Sequence, residues 1–318
     1  MKNILITGGA GFIGINLARK LMYDNNVLII DNLYSSGIEN LLELKDYVNY
    51  IPHDVRNSFD QLGDEFIPDH IYHLACPASP PAYQKNAIYT HETAVLGMIN
   101  VLQYAKHHDS TVLFTSTSEI YGDPQVDIQN ESYRGNVRTM GIRSCYDEGK
   151  RMAETICYDY HCMHGIDIKV ARIFNTYGPY MNPQDGRIVS NFINQALDGL
   201  PLTIYGDGTQ TRSLSYADDT VDFLIKLMNS NHGISAINVG NPVEMTVNDI
   251  ASVVEQHLNT SEREYVELPM DDPRKRKPDI SKAKDVLGWE PSTPFSDGLV
   301  KTIEYFKSVK EKQPWRKP

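Results

Sequence analysis

Asn3-Ile4-Leu5-Ile6-Thr7-Gly8-Gly9-Ala10-Gly11-Phe12-Ile13-Gly14 runs from a short apolar segment into glycines spaced three apart, at 8, 11 and 14. The apolar run reads as a buried strand and the stretch from Gly11 to Met22 as the helix that follows it. In such a strand–turn–helix unit the first glycine permits a tight turn. The second lets backbone N–H groups approach a pyrophosphate at the helix N-terminus, and the third permits close packing of helix on strand. Phe12 and Ile13 open the helix and belong to the same anion-binding end. Asp31 closes the next apolar run 17 residues after Gly14, near the spacing at which a carboxylate holds the adenosine ribose. An anion there repels a 2′-phosphate, so the expected cofactor is NAD and not NADP. Asn32 and Leu74, at neighbouring strand ends, are further candidate cofactor contacts, as are Asp54 and Val55 in His53-Asp54-Val55. Asp54 is read either as a partner for the adenine amino group or as an aspartate capping a turn.

Outward from this unit, Asn26–Ile30, Ile71–Leu74, Val112–Ser116 and Ile168–Ile173 are short apolar runs, with amphipathic stretches such as Ile88–His107 between them. Apolar runs of this length separated by helices are expected of a parallel sheet covered on both faces, a doubly wound α/β core. The turn-rich stretch Tyr177-Gly178-Pro179-Tyr180-Met181-Asn182-Pro183 ends the alternation. Helices are expected at Ile188–Leu197 and Asp218–Met228 and a strand at Ala236–Val239. The expected division is a cofactor-binding domain over 1–176 and 211–241, with a smaller interwoven lobe over 177–210 and 242–318.

The 318 residues carry 30 basic and 41 acidic side chains, a formal net charge of −11, which disfavours nucleic acid as a partner. The four cysteines (Cys76, Cys145, Cys157, Cys162) are too few to staple a chain of this size and suit a reducing compartment. The N-terminal segment lacks the features of a secretory signal, and no run approaches the ~20 apolar residues of a membrane helix. A cytoplasmic location is expected.

Tyr146 and Lys150 form a Tyr-x-x-x-Lys pair that shares one helical face, so an ammonium sits near a phenol and is expected to lower its pKa. Such a phenol serves as the base that removes a hydroxyl proton during hydride transfer. The strand ending Thr115-Ser116-Thr117-Ser118-Glu119 places hydroxyls at the carboxyl edge of the sheet, where ligands bind in this architecture.

Together, the glycine turn, the hydroxyl-rich strand end and Tyr146-x-x-x-Lys150 resemble the extended short-chain dehydrogenases/reductases, in the branch that modifies nucleotide sugars. Within that branch the chain resembles the UDP-glucuronate decarboxylase (UDP-xylose synthase) family. The residues carrying this are His73-Leu74-Ala75-Cys76-Pro77-Ala78-Ser79-Pro80-Pro81-Ala82-Tyr83, Ser118-Glu119-Ile120-Tyr121-Gly122-Asp123-Pro124, Arg143-Ser144-Cys145-Tyr146-Asp147-Glu148-Gly149-Lys150-Arg151, Arg172-Ile173-Phe174-Asn175-Thr176-Tyr177-Gly178-Pro179 and Arg276-Lys277-Pro278-Asp279. The resemblance implies a Rossmann fold with a smaller substrate lobe, a bound NAD used and regenerated in each turnover, and UDP-glucuronate as substrate. Oxidation at C4 makes a β-keto acid, loss of carbon dioxide leaves an enolate, and reprotonation at C5 followed by re-reduction at C4 gives UDP-xylose. Tyr146 is then the base, Lys150 its partner on the nicotinamide ribose, and Thr117 the donor to the C4 oxygen. Glu119 orients the sugar or a water, and Arg276 holds the ring near the scissile carboxylate. Related 4,6-dehydratases carry Asp-Glu where this chain has Ser118-Glu119, so the acid that expels water is missing; a 4,6-dehydratase, a 4-epimerase or a non-catalytic NAD sensor are the rival readings.

Asn175, Arg187, Arg212 and Arg276 are candidate diphosphate contacts because guanidinium forks match phosphate oxygens, with a solvated surface charge as the alternative for each arginine. Pro81 and Tyr83 are further substrate candidates, and Tyr205 and Gln210 are candidates for the uracil and ribose. Cys157, His161, Cys162 and His164 lack a paired knuckle elsewhere, so they are read as packing and no metal is expected. Arg274-Lys275-Arg276-Lys277 is read as a substrate loop. Val95, Met98, Ile99 and Leu102, with Ala153 and Ile156, face either the core or a partner copy, and relatives imply a homodimer through helices 88–107 and 146–164.

Overall fold

The central strands are buried on both sides, which only a sheet covered by helices on two faces can satisfy. In the computed structural model, which describes residues 1–63, 65–260, 262–267 and 276–312, six strands are β1 (Asn3–Thr7), β2 (Asn26–Asp31), β3 (Val48–Pro52), β4 (His70–His73), β5 (Thr111–Thr117) and β6 (Ile168–Ile173). With a seventh, Ile237–Val239, they form one parallel sheet in the order Ile237–Val239, β6, β5, β4, β1, β2, β3. The period-two alternation is visible residue by residue. Ile4, Ile6, Val27 and Ile29 enter the core on one face, and Leu5, Leu28 and Ile30 enter the core on the other.

The helices are α1 (Phe12–Leu21), α2 (Glu39–Leu42), α3 (Pro80–Lys85), α4 (Ala87–His108), α5 (Ser144–His164), α6 (Ile188–Leu197), α7 (Ala217–Met228), α8 (Val247–Leu258), α9 (Ser281–Leu287) and α10 (Phe295–Lys312). Ile15 and Leu17 of α1 and Val221 and Leu224 of α7 cover one face; Met98 and Leu102 of α4 and Ala153 and Cys157 of α5 cover the other. A third core, with Phe192 of α6, Ile250 and Val254 of α8 and Phe306 of α10, makes the smaller lobe. Ile280, Ala283 and Trp289 fall within the stretch 242–318 assigned to that lobe, yet they pack into the core of the main sheet, where Trp289 meets the Phe223 ring edge-on.

The strand order reverses between β1 and β4, and ligands bind in the crevice beyond the strand ends at such a point. The turn after β1 is built to leave that crevice open. Gly8 has φ +70, and a Cβ on it would lie 2.7 Å from the Ala75 nitrogen; a Cβ on Gly14 would fall on the Gly8 carbonyl oxygen and 2.6 Å from Gly9 Cα. Gly14→Ala is therefore expected to lower stability by about 1–3 kcal/mol through overpacking against backbone that has no rotamer to yield. A urea denaturation midpoint equal to that of the wild type would contradict it.

Candidate active site

One cleft of about 1540 Å³ opens over the reversal point, more than the ~300–1,000 Å³ of an ordinary small-molecule site and enough for two nucleotide-sized ligands end to end. One end of it is the β1–α1 turn. Gly11 caps α1 with no side-chain bond, so the N–H groups of the first helical turn, from Phe12 and Ile13, are offered to an anion. Gly8, Gly11, Gly14, Asn32, Val55 and Leu74 line this end together with Asp31. The Asp31 carboxylate accepts the Ala10 and Leu33 N–H groups (3.1 and 2.7 Å), while burial raises its pKa against those bonds. Asp54 does not line the cleft. Its carboxylate lies in the fork of Arg56 (2.9 and 3.2 Å), accepts the Arg56 N–H (3.0 Å) and accepts a bond from Asn32 at the edge of the cleft (3.0 Å). The turn glycines, the uncapped helix end and the carboxylate at the end of β2 fit a dinucleotide.

In the middle of the cleft, β5 and α5 converge. Thr117 ends β5, and its hydroxyl accepts the Glu119 N–H (3.2 Å), which starts a short 3₁₀ turn, Ser118–Tyr121. Tyr146 and Lys150 lie one turn apart on α5 and both are buried. Tyr83 stacks on Tyr146 with ring centroids 5.1 Å apart and planes 7° apart. The Lys150 ammonium donates to the Thr115 carbonyl (2.8 Å) and stands 5.9 Å from the Tyr146 ring centroid. Burial holds the Tyr146 pKa above its ordinary value, and the Thr117 hydroxyl and Arg187 pull it down. Burial likewise lowers the Lys150 pKa.

Beside this pair lies a buried ionic cluster. Glu119 accepts two bonds from Arg276, one from Nη2 at 2.6 Å, and one from Arg143. Burial alone would raise the Glu119 carboxyl, but Arg276 and Arg143 overcome it and hold it below its ordinary range. Arg276 Nη1 also reaches the Ser118 hydroxyl at 3.3 Å. Arg143 escaped the sequence reading as a functional residue, although it caps α5 three residues before Tyr146. Asp147 escaped it too. The Tyr83 hydroxyl, Asp147 Oδ1 and Arg276 Nε are buried with no partner among the described residues, which is hydrogen-bonding capacity that a polar ligand can take up.

At the far end, Pro81, Asn175, Arg187, Tyr205, Gln210 and Arg212 all line the cleft. Arg187 donates to the Ala78 carbonyl (2.7 Å), Gln210 to the Tyr205 carbonyl (2.6 Å) and Arg212 to the Thr211 carbonyl (2.9 Å). Arg274 and Lys275 of the expected substrate loop lie outside the described residues.

In comparisons with known proteins, residues 4–240 fit the NAD dependent epimerase/dehydratase family. The chain belongs to that family. It is 52% identical over 309 residues to UDP-glucuronic acid decarboxylase 3 of Arabidopsis thaliana, covering 96% of this chain and 89% of that one. It is 48% identical over 316 residues to UDP-glucuronic acid decarboxylase 1 of Xenopus tropicalis, covering 98% and 74%. Among solved structures, the UDP-glucuronic acid 4-epimerase of Bacillus cereus in complex with UDP-glucuronic acid and NAD superposes with a TM-score of 0.85 at 28% identity, covering 96% of this chain and 99% of that one. The UDP-glucose 4-epimerase of Thermotoga maritima with UDP-glucose gives 0.90 at 28% identity, with the same coverage. As a member of this epimerase/dehydratase family, the chain has its Tyr-x-x-x-Lys pair and glycine turn on a single cleft.

The zinc-like quartet does not converge. Cys157 packs on Met98 and His161 bonds the Ile166 carbonyl, while Cys162 and His164 face outward.

Burial and the neighbouring Glu119 carboxylate push Asp147 up to about 7, against the pull of Arg143 and Arg276. The folded state then binds this proton more tightly than the unfolded chain, so its contribution to stability is present in acid and is lost as pH rises from about 4 to about 7. Glu119 titrates in the opposite sense and below that window. Asp147→Asn should therefore raise the melting temperature more at pH 8 than at pH 5. Equal increments at the two pH values would show that Asp147 is not protonated in the folded protein.

Proposed function

We propose that the protein decarboxylates UDP-glucuronate to UDP-xylose, with NAD as a bound, regenerated cofactor. The carrying observation is the buried cluster of Glu119, Arg143 and Arg276 set beside Tyr146 and Thr117: one carboxylate against two guanidinium groups leaves a positive excess where a sugar's C4–C6 edge would lie. The near-full-length similarity to UDP-glucuronic acid decarboxylases supports the same substrate.

Bound NAD would supply the two-electron acceptor for C4, held by the β1–α1 turn and Asp31. Tyr146 takes the C4 hydroxyl proton, the step for which burial alone leaves its pKa too high. Thr117, at the end of β5, donates to the C4 oxygen while Lys150 fixes the base's helix to Thr115. Once C4 is a ketone, the carboxylate lies β to it, and loss of carbon dioxide needs only a stabilised enolate oxygen, which Tyr146 and Thr117 flank. Arg276 orients the carboxylate, and Glu119 with Arg143 holds Arg276 in place. The residue before Glu119 is Ser118, whose hydroxyl faces Arg276, so no carboxylic acid stands there to expel water from C6. Asn175, Arg187 and Arg212 bind the diphosphate, with Tyr205 and Gln210 at the uridine.

Part of the α4–α5 face is apolar and exposed. Met98, Leu102 and Ala153 turn into the core, whereas Leu96, Met152 and Tyr158 face outward. We assign this face to a second copy of the chain, giving a homodimer. All four cysteines are free thiols, in keeping with a cytoplasmic setting, and no described helix is long and apolar enough to cross a membrane.

Incubation with UDP-glucuronate, followed by mass spectrometry, should show loss of carbon dioxide. An unchanged mass with inverted C4 would instead identify a 4-epimerase, the reading favoured by the resemblance to the solved 4-epimerases. Tyr146→Phe should retain NAD and lose about 10²–10⁴-fold in kcat; a wild-type rate would remove Tyr146 from the role of base. Sedimentation should give a dimer that the Leu96→Glu and Met152→Glu double variant dissociates, and a wild-type protein sedimenting as a monomer would refute that assembly.

A further inference from the structure

Arg276 reaches the site from a distant part of the chain, and the contacts that place it centre on one residue. Gln129 is 1% exposed and pairs in parallel with the segment after Arg276. Its N–H donates to the Lys277 carbonyl and its carbonyl accepts the Asp279 N–H, both at 2.9 Å. Its side chain repeats the grip: Oε1 accepts the Lys277 N–H (2.9 Å) while Nε2 donates to the Val126 carbonyl (2.9 Å). Three of these four bonds hold residues 277 and 279, directly beside Arg276.

Gln129 is in turn tied to the catalytic strand and helix. Asn238, fully buried, donates from Nδ2 to the Gln129 and Asp279 carbonyls (3.0 and 3.1 Å). Its Oδ1 accepts the Tyr121 hydroxyl (2.8 Å), which accepts a bond from Arg172 (3.0 Å). Arg172 forks onto Glu154 (3.0 and 2.7 Å), one helical turn beyond Lys150, and Glu154 also accepts the Ser116 hydroxyl. Ser116 stands between Thr115, which anchors Lys150, and Thr117. A chain of polar contacts thus runs from the backbone beside Arg276 through Gln129, Asn238, Tyr121, Arg172 and Glu154 to Ser116 on β5.

We propose that Gln129 is a positioning residue for Arg276: with Asn238 behind it, it fixes where the guanidinium meets the sugar's carboxylate relative to Tyr146. This rests on the role given to Arg276 in the decarboxylation above. A residue acting through Arg276 must lose its effect once Arg276 is gone, whereas one that only supports the fold keeps it.

The test is a double-mutant cycle on the full chain with Gln129→Met, Arg276→Ala and the pair, measuring kcat and KM for UDP-glucuronate, the Kd for UDP and the NAD content. Hydrogen exchange at the Lys277 and Asp279 amides is followed in parallel. Gln129→Met should cost roughly ten- to a hundredfold in kcat/KM, leave UDP affinity and NAD content unchanged, and accelerate both amides. In the Arg276→Ala background it should cost nothing further. Gln129→Glu, which keeps the acceptor for the Lys277 N–H, should recover part of the loss and guards against a Met variant that fails to fold. Additive losses, or exchange at Lys277 and Asp279 unchanged in Gln129→Met, would overturn the assignment. A wild-type protein that leaves UDP-glucuronate intact would overturn the proposed reaction instead, and the exchange rates would still decide whether Gln129 holds the segment.

Discussion

A carboxylate taken out of water is tolerated only when enough positive charge is held at hydrogen-bonding distance, and the surroundings must enforce that geometry because desolvation opposes it. Glu119 is in that position. It starts a 3₁₀ turn fixed by the Thr117 hydroxyl, at the end of a strand buried along almost its whole length, and two arginines from separate parts of the chain converge on it. Moving β5, the N-terminus of α5 or the segment at 276–279 would leave a buried charge unpaired. The sheet core, the α5 start and the Gln129 clasp therefore share one constraint: they must meet at Glu119.

The features legible in the sequence are the ones carried by neighbours in the chain. Gly8, Gly11 and Gly14 sit within one turn, Tyr146 and Lys150 within another, and the alternation of Ile4, Leu5 and Ile6 between two cores follows from strand geometry alone. The ionic cluster was not legible, because Arg143 lies 24 and Arg276 157 positions from Glu119, and neither spacing carries a period. The resemblance to a known family supplied Arg276 and Glu119 but gave Arg143 no role. The strand Val48–Pro52 is a half-exposed sheet edge without a continuous apolar run, so no pattern announced it. Trp289 and Ile280 follow a similar logic: sequence order puts them with α8 and α10, while their apolar surface packs into the core of the main sheet, Trp289 against Phe223 of α7.

Tyr146 and Lys150 show what spacing along a helix leaves out of a motif's chemistry. Adjacency on one helical face suggested a direct ion–phenol interaction, but both groups are buried, and desolvation acts on each before they act on one another. The ammonium satisfies itself on the Thr115 carbonyl, which ties α5 to β5 and so fixes the distance between Tyr146 and Thr117. In this protein Lys150 is as much a strut as a cation.

The charge balance of the cluster also bears on the choice of reaction. Two guanidinium groups against Glu119 leave one positive charge, and an ionised Asp147 would cancel it. Burial and Glu119 itself raise the Asp147 pKa to about 7, so the excess is kept below pH 7 and about half cancelled at it. A single positive charge matches a uronate carboxylate in the ground state. It still matches after carbon dioxide departs, because the electron pair left behind resides on the C4 oxygen as a single negative charge. Elimination of water makes a different demand: a proton must be delivered to the hydroxyl leaving C6, and the position before Glu119, where the related dehydratases have an acid, is Ser118 here, its hydroxyl facing Arg276. The site is therefore suited to moving one negative charge over a few ångströms in a fixed field, which is the electrostatic requirement of decarboxylation.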